Sequence, residues 1–360
     1  MVDDTAPITP AAMEGHGGYN RRSQVQAGGL SPALPLFEQA ARTVPLPTQS
    51  QSITIADYGS SQGQNSLIPL SLAIARLRER AGHDQAISIV HTDLPENDFS
   101  ALFHTLNADP NSYLRCDRAA FAMAVGRSFY EQILPSNTVT LGWSSWAVQW
   151  LSRAPTPIPD HVQVACSQDP GTRIAFARQS AQDWENFLLA RGRELISGGR
   201  LVVLTMALKG NGDFGYKRLL EAMYGTLVEM ADRGVIQQEE LHRMTIPTMA
   251  RSREDLLAPF AAESHFAGLR MQELEIFQAD DHIWLDYERH RDGHEFGRQW
   301  AAFSRGSVFP TMAEALDEAG ARYDKFFALL EEGMIDKLAS KPEPMVIPLV
   351  RLLLVKDGEC

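Results

Sequence analysis

The chain has 360 residues, enough for one large domain or two ordinary ones, and its 44% apolar content can fill a proper core. A formal charge of -12 argues against a phosphate-backbone partner, so no nucleic acid is expected, and no apolar run reaches the roughly 18 residues that a membrane helix needs. The three cysteines, Cys116, Cys166 and Cys360, are too few and too scattered for a disulfide framework or a Cys-x-x-Cys metal clip.

In chain order, residues 1–48 carry Pro7, Pro10, Pro32, Pro35, Pro45 and Pro47 with a Gly-rich stretch at Gly15 to Gly18, and read as an irregular arm that serves as a lid or linker. A strand follows at 52–56, then a small-residue turn and a helix over 66–80, where Pro69 is tolerable because it falls in the first turn. Further strands are predicted at 86–91, 138–141 and 200–205, with an amphipathic helix at 184–196. This alternation predicts an α/β fold, a doubly wound Rossmann-like sheet. The glycines at 210, 212 and 215 interrupt it, and helices at 219–234, 237–244 and 252–265 would form a cap over a pocket. A strand at 271–277, helices at 294–303 and 312–337 and an apolar strand at 346–355 close the chain. The expected organisation is therefore an arm at 1–48, a sheet core at 49–206 and 267–360, and a helical cap at 207–266.

The chemistry concentrates in Ile53-Thr-Ile-Ala-Asp57-Tyr-Gly59-Ser-Ser-Gln-Gly63-Gln-Asn65. A buried strand, glycines that let backbone approach a ligand, and a helix N-terminus with free N–H groups together describe a cofactor turn. Only Gly59 and Gly63 punctuate it, so the Gly-x-Gly-x-x-Gly of a dinucleotide site is incomplete. Asp93, at the tip of the next strand, suits the two hydroxyls of a ribose; an adenosine without pyrophosphate fits this pair of strands.

Other stretches fall in a fixed order with this one. They are Glu14-Gly-His-Gly-Gly-Tyr19-Asn-Arg-Arg-Ser23-Gln-Val-Gln26, then Asp93-Leu94-Pro95-Glu-Asn97-Asp98-Phe99, then Ser128-Phe129-Tyr130, then Gly142-Trp-Ser-Ser-Trp146-Ala-Val-Gln149-Trp150, and last Asp292-Gly-His294-Glu295-Phe. In that order, and over nearly the whole chain, they resemble the SABATH family of S-adenosylmethionine-dependent methyltransferases, which includes salicylate carboxyl methyltransferase and caffeine synthase.

The resemblance implies S-adenosyl-L-methionine as cofactor and S-adenosyl-L-homocysteine as its product. It places Ser23, Asp57, Gly59 and Asn65 at the methionine part, Asp93 and Leu94 at the ribose and adenine, and Ser128 and Phe129 along the adenosine. Gln26 and Trp150 match the pair that hydrogen-bonds the substrate carboxylate; Tyr19, Trp146, Gln149 and Leu220 fall on other wall positions. Family members usually show a cysteine in the glycine loop where this chain has Gly59, and an aromatic clamp where it has Leu220. The implied activity is O-methylation of a small, mainly apolar carboxylic acid in a cytoplasmic homodimer without a membrane or metal partner.

Competing readings rest on particular residues. His290 and His294 have the separation of a helical metal pair, but Gly293 weakens that helix and no further ligand completes it. Gly142-Trp-Ser144-Ser-Trp146 lacks the second glycine of a hydrolase nucleophile elbow. Methylation of a ring nitrogen is the nearest rival within the family, and a non-catalytic binding protein on the same fold is a third. Trp146 and Trp150 also have the spacing of one helix face, and Asp93 has a plainer use as a cap for the segment after Pro95.

Overall fold

The computed structural model describes residues 8–210, 212–317 and 321–358. The beginning of the arm, part of the helix expected over 312–337 and Cys360 lie outside the described residues.

Eight strands form one sheet: β1 (Ile53–Tyr58), β2 (Ile87–Asp93), β3 (Ala120–Gly126), β4 (Val139–Ser145), β5 (Leu195–Met206), β6 (His265–Phe266), β7 (Leu269–Gln278) and β8 (Pro348–Lys356). Their spatial order is β3-β2-β1-β4-β5-β8-β7-β6. The first five in that order run parallel, and β8, β7 and β6 pair antiparallel. Parallel strands covered on both faces must be apolar throughout, and Ile53, Ile55, Ala56, Ile87, Ile89 and Val202 to Leu204 are accordingly buried. The doubly wound sheet is thus the observed fold. Strand order reverses at β1, which has β2 on one side and β4 on the other. Such a reversal leaves a crevice at the strands' carboxyl ends, and Asp57, Asp93 and Ser145 stand at or near those ends.

Several elements differ from expectation for local reasons. The arm is helical, with Gly18–Arg22, Gln24–Gly29 and Leu34–Thr43 as its helices. Pro32 and Pro35 sit in the first turns of the 3₁₀ turn Ser31–Ala33 and of helix Leu34–Thr43, where no N–H is needed. Helix Leu34–Thr43 packs on helix Leu67–Ala81, and Phe37 meets Trp143 at 4.7 Å.

The helix expected from 184 begins at Pro170, capped by the Asp169 side chain, which accepts from the Thr172 N–H at 2.6 Å. The single helix expected over 252–265 breaks: Arg253–Leu257 passes into the 3₁₀ turn Ala258–Phe260, because Pro259 lacks the N–H that a continuing helix would use, and then into β6. Trp146 and Trp150 do not share a helix face; Trp146 has φ of 54° in the turn after β4. Asp98, not Asp93, caps helix Phe99–Ala108, accepting from the Ala101 N–H at 2.9 Å.

Beyond β5, helix Lys217–Asp232 packs against helix Ala321–Ser340, which in turn packs against helix Gly293–Ser307. Helices Lys217–Asp232 and Gly293–Ser307 supply one side of the cavity described next, and helix Ala321–Ser340 joins them from behind.

Candidate active site: two adjoining cavities at the carboxyl edge of the sheet

Strands β1 and β2 deliver the first group of residues. Asp93, the last residue of β2, accepts hydrogen bonds from the Ser61 N–H at 2.7 Å and the Leu94 N–H at 2.8 Å. Burial pushes its carboxyl up to about 6, partly opposed by those two donors and aided by the charge of Asp57. Asp57 is itself buried, with Oδ2 2.8 Å from His91 Nδ1; His91 Nε2 lies 2.8 Å from the Tyr113 hydroxyl. Gly59 has φ of +85°, and a Cβ there would stand 2.4 Å from that of Ala147, so only glycine fits. Ser60 follows it, buried, with its hydroxyl lacking a partner.

Asp93, Leu94, Ser128, Phe129, Gly59 and Ser61 line a cavity of about 690 Å³, roofed by Pro10 to Met13 of the arm. No Lys, Arg or His borders it among the described residues. A phosphate ligand would lack a charge partner there, whereas a ribose can use the Asp93 oxygens and a cationic group can rest on the faces of Phe129, Tyr130 and Trp146. The cavity thus fits a positively charged adenosine derivative. Ser23, Asp57 and Asn65 do not line it directly: Ser23 Oγ is 3.5 Å from Asn65 Oδ1, and the hydroxyl of Tyr19 lies by Asn65 and Asp93.

Phe129 is held from behind by a fully buried ion pair. Arg191 binds Glu194 through Nε and Nη2 at 2.9 Å each, and donates to the carbonyls of Phe129 at 2.7 Å and Glu131 at 2.9 Å. Glu194 also accepts from the Ile133 and Leu134 N–H groups and from the Tyr58 hydroxyl at 2.7 Å. Every polar atom of the pair is thus engaged.

A second cavity, about 660 Å³, adjoins the first. Met13, Tyr19, Trp146 and Trp150 border both, so these four mark the boundary across which one ligand would meet the other. Gln26, Gln149 and Leu220 line the second cavity as well, together with Gln163, Phe214, Tyr216, Leu219, Thr248 and Ser304. Gln26 is buried and its Oε1 has no partner. Gln149 is occupied, donating to the Trp146 carbonyl at 2.6 Å and accepting from Thr205 at 2.8 Å. The turn carrying Trp150 is braced: its carbonyl accepts from the Tyr130 hydroxyl, and Arg251 donates to the Val148 carbonyl at 2.6 Å. No Asp, Glu, His, Lys or Arg lines this cavity among the described residues.

A family profile described as SAM dependent carboxyl methyltransferase matches residues 9–353. The chain belongs to that family. It is the one that the ordered motifs resemble, and its cofactor is S-adenosylmethionine. The methyltransferase is 28% identical over 255 residues to Methyltransferase FUS9 of Gibberella fujikuroi, a match covering 70% of this chain and 68% of that protein. It is 25% identical over 320 residues to the salicylate carboxymethyltransferase of Clarkia breweri, covering 85% of this chain and 86% of the other. In fold it is similar to a solved loganic acid methyltransferase with SAH, at a TM-score of 0.77 and 21% identity, over 97% of this chain and 99% of that one.

Sequence reasoning missed the wall that the methyltransferase builds from Met13, Gln163, Phe214, Tyr216, Thr248 and Ser304. No local motif marks them, because they come from the arm, the segment at Gln163, the turn before helix Lys217–Asp232, the segment at Thr248 and helix Gly293–Ser307, which meet only in the folded chain. No helix among the described residues is long and apolar enough to cross a membrane, and no cluster of three metal-ligating side chains occurs among them. Helix His282–His290 ends before His294, which begins a separate helix, so the two histidines do not share a helix face.

Proposed function

We propose that this methyltransferase esterifies a small, mainly apolar carboxylic acid, with Gln26 and Trp150 holding the carboxylate. The observation that carries this is the absence of any Asp, Glu, His, Lys or Arg among the described residues lining the substrate cavity. A hydroxyl nucleophile would need a base to remove its proton; a carboxylate, with a pKa of roughly 4, is already ionised at neutral pH. The cavity offers donors without charge. Trp150 donates through its indole N–H and Gln26 through its amide, so the pair orients the oxygen without protonating it or quenching it with a cation.

S-adenosylmethionine supplies an electrophilic methyl group when bound. Asp93 and Leu94 would hold its ribose and adenine, Ser128 and Phe129 its adenosine face, and Gly59 its methionine side, with Ser23, Asp57 and Asn65 behind the cavity wall rather than on it. Tyr19 and Trp146 stand at the boundary of the two cavities and shield it from water. Holding the reactants about 3–3.5 Å apart contributes several kcal/mol by proximity alone. We further infer that residues 1–48 act as a lid, since Met13, Tyr19 and Gln26 all reach the cavities, and that residues 207–266 cap the substrate side above a core of 49–206 and 267–360. Leu220, on that cap, would shape the acid's apolar body, and a homodimer in the cytoplasm completes the reading.

Trp150→Phe should lower kcat/KM by about 1–3 kcal/mol, the range of a hydrogen bond to a charged group, while S-adenosylhomocysteine affinity stays nearly unchanged. Full activity in that variant would remove the clamp. A panel of benzoic, phenylpropenoic, terpenoid and fatty acids, read by methyl transfer, tests the acceptor; transfer to azaheterocycles and to no acid would establish ring-nitrogen methylation instead.

A further inference from the structure

The substrate cavity spends most of its polar side chains on the protein itself. Gln149 is tied to Trp146 and Thr205, and Gln163 donates to both oxygens of Thr248 at 3.1 and 2.7 Å. The hydroxyls of Ser304 and Ser307 donate to carbonyls one turn back, those of Trp300 and Phe303. Tyr216 is different. It lines the substrate cavity and not the cofactor cavity, its hydroxyl is buried, and that hydroxyl has no hydrogen-bond partner.

The ring is fixed in place. It lies nearly parallel to Phe303, with centroids 6.2 Å apart and 10° between planes, and edge-on to Trp300 at 6.2 Å. Its backbone has φ of 54°, a left-handed conformation uncomfortable for a bulky residue. A phenylalanine would make the same ring contacts without burying an unpaired O–H, which is a costly thing to leave in an apolar wall. Burial, with the nearby charge of Asp281, raises the phenol's pKa further, so the group stays protonated and keeps its proton to donate to an acceptor. Trp146 also has an unpartnered indole N–H, but it stands at the boundary with the cofactor cavity. Tyr216 belongs to the substrate side alone.

We propose that Tyr216 is a specificity-determining residue: its hydroxyl donates a hydrogen bond to a second oxygen of the substrate, a carbonyl, ether or hydroxyl set apart from the carboxylate. The substrate class narrows from an apolar acid to an apolar-bodied acid with one further oxygen acceptor. This rests on the carboxylate reading above, because Gln26 and Trp150 must be occupied by the acid for Tyr216 to be left to a second group. A site built to hydrogen-bond a substrate oxygen discriminates strongly against the analogue that lacks it, since the buried donor then stays unpaired.

The test uses the purified chain saturated with S-adenosylhomocysteine for binding, and with S-adenosylmethionine for turnover. Acids are compared in matched pairs of graded length, each pair differing only by a distal carbonyl, ether or hydroxyl against its methylene or methyl isostere. Calorimetric affinity and kcat/KM should favour the oxygenated member by about tenfold or more in the best-fitting length. Tyr216→Phe should collapse that ratio toward one, with S-adenosylhomocysteine affinity reporting that the variant is folded. Ratios within twofold at every length in the unaltered protein overturn the proposal without recourse to any variant, as does a preference that survives Tyr216→Phe. Failure of the carboxylate reading has another signature: no acid of either kind accepts methyl, while azaheterocycles do.

Discussion

Glu194→Ala should destabilise the folded chain by about 3–5 kcal/mol, because it leaves the guanidinium of Arg191 buried without its counter-charge. Arg191 and Glu194 are both 0% exposed, so no water replaces the lost partner. The same change strands the N–H groups of Ile133 and Leu134 and the Tyr58 hydroxyl, each of which donates only to this carboxylate. The loss should appear as a lower urea midpoint at unchanged slope. It should also weaken S-adenosylhomocysteine binding, since Arg191 holds the Phe129 carbonyl and with it the wall of the cofactor cavity. A midpoint shift worth less than about 1 kcal/mol would mean that the pair is compensated, as happens when apolar packing takes over from buried charge. Replacing both partners by methionine distinguishes the two cases: it should cost less than the single alanine.

Asp93→Asn should weaken S-adenosylhomocysteine binding by roughly 10- to 100-fold, the loss of charge-assisted hydrogen bonds to a pair of ribose hydroxyls. The unaltered protein should show a matching pH dependence. Its Asp93 carboxyl is held up at about 6, and the bound ribose favours the ionised form, so affinity should fall by up to tenfold per unit as pH drops below about 6. In Asp93→Asn that slope should vanish. An affinity that stays flat between pH 7.5 and about 5 in the unaltered protein would remove Asp93 from the cofactor.

The stability of the free protein responds in the opposite sense. A carboxyl whose folded pKa is raised above its unfolded value contributes stability below about 3.8, and that contribution is lost as pH rises through about 6. At neutral pH the ionised Asp93 therefore costs stability, by roughly 3 kcal/mol at most. Ligand binding and free-state stability are set against each other at this one side chain, as is common at working sites.

The parts of the fold legible from sequence are those whose residues act locally. Ile53 to Ala56, Ile87 to Val90 and Val202 to Leu204 carry enough β-branched and apolar side chains to announce buried strands, and Asp57 and Asp93 mark the tips of the first two. Strand β3 escaped because three of the seven residues in Ala120-Phe-Ala-Met-Ala-Val-Gly126 are alanine, and as an edge strand it leaves Phe121 and Met123 exposed, which blurs the pattern of a buried strand. The arm's prolines announced breaks, yet two of them start helical turns, and the apolar face of Leu36, Phe37, Ala40 and Ala41 finds its partner only in tertiary packing. The cofactor side was readable as a motif. The substrate wall was not, since Tyr216, Thr248 and Ser304 become neighbours only after the cap helices dock.

The position of β8 has a consequence for how the chain is made. That strand fills the gap between β5 and β7, pairing Leu353 with Val202 and Leu352 with Leu274, yet among the eight described strands it is the last to be synthesised. Long-range pairings of this kind are slow to form, and domains made on the ribosome meet their partners in order of synthesis. The β3-β2-β1-β4-β5 half, with its cofactor crevice, is complete while β5 and β7 still present open edges to the cell. Until β8 arrives, those two edges are the ones on which a foreign strand can pair.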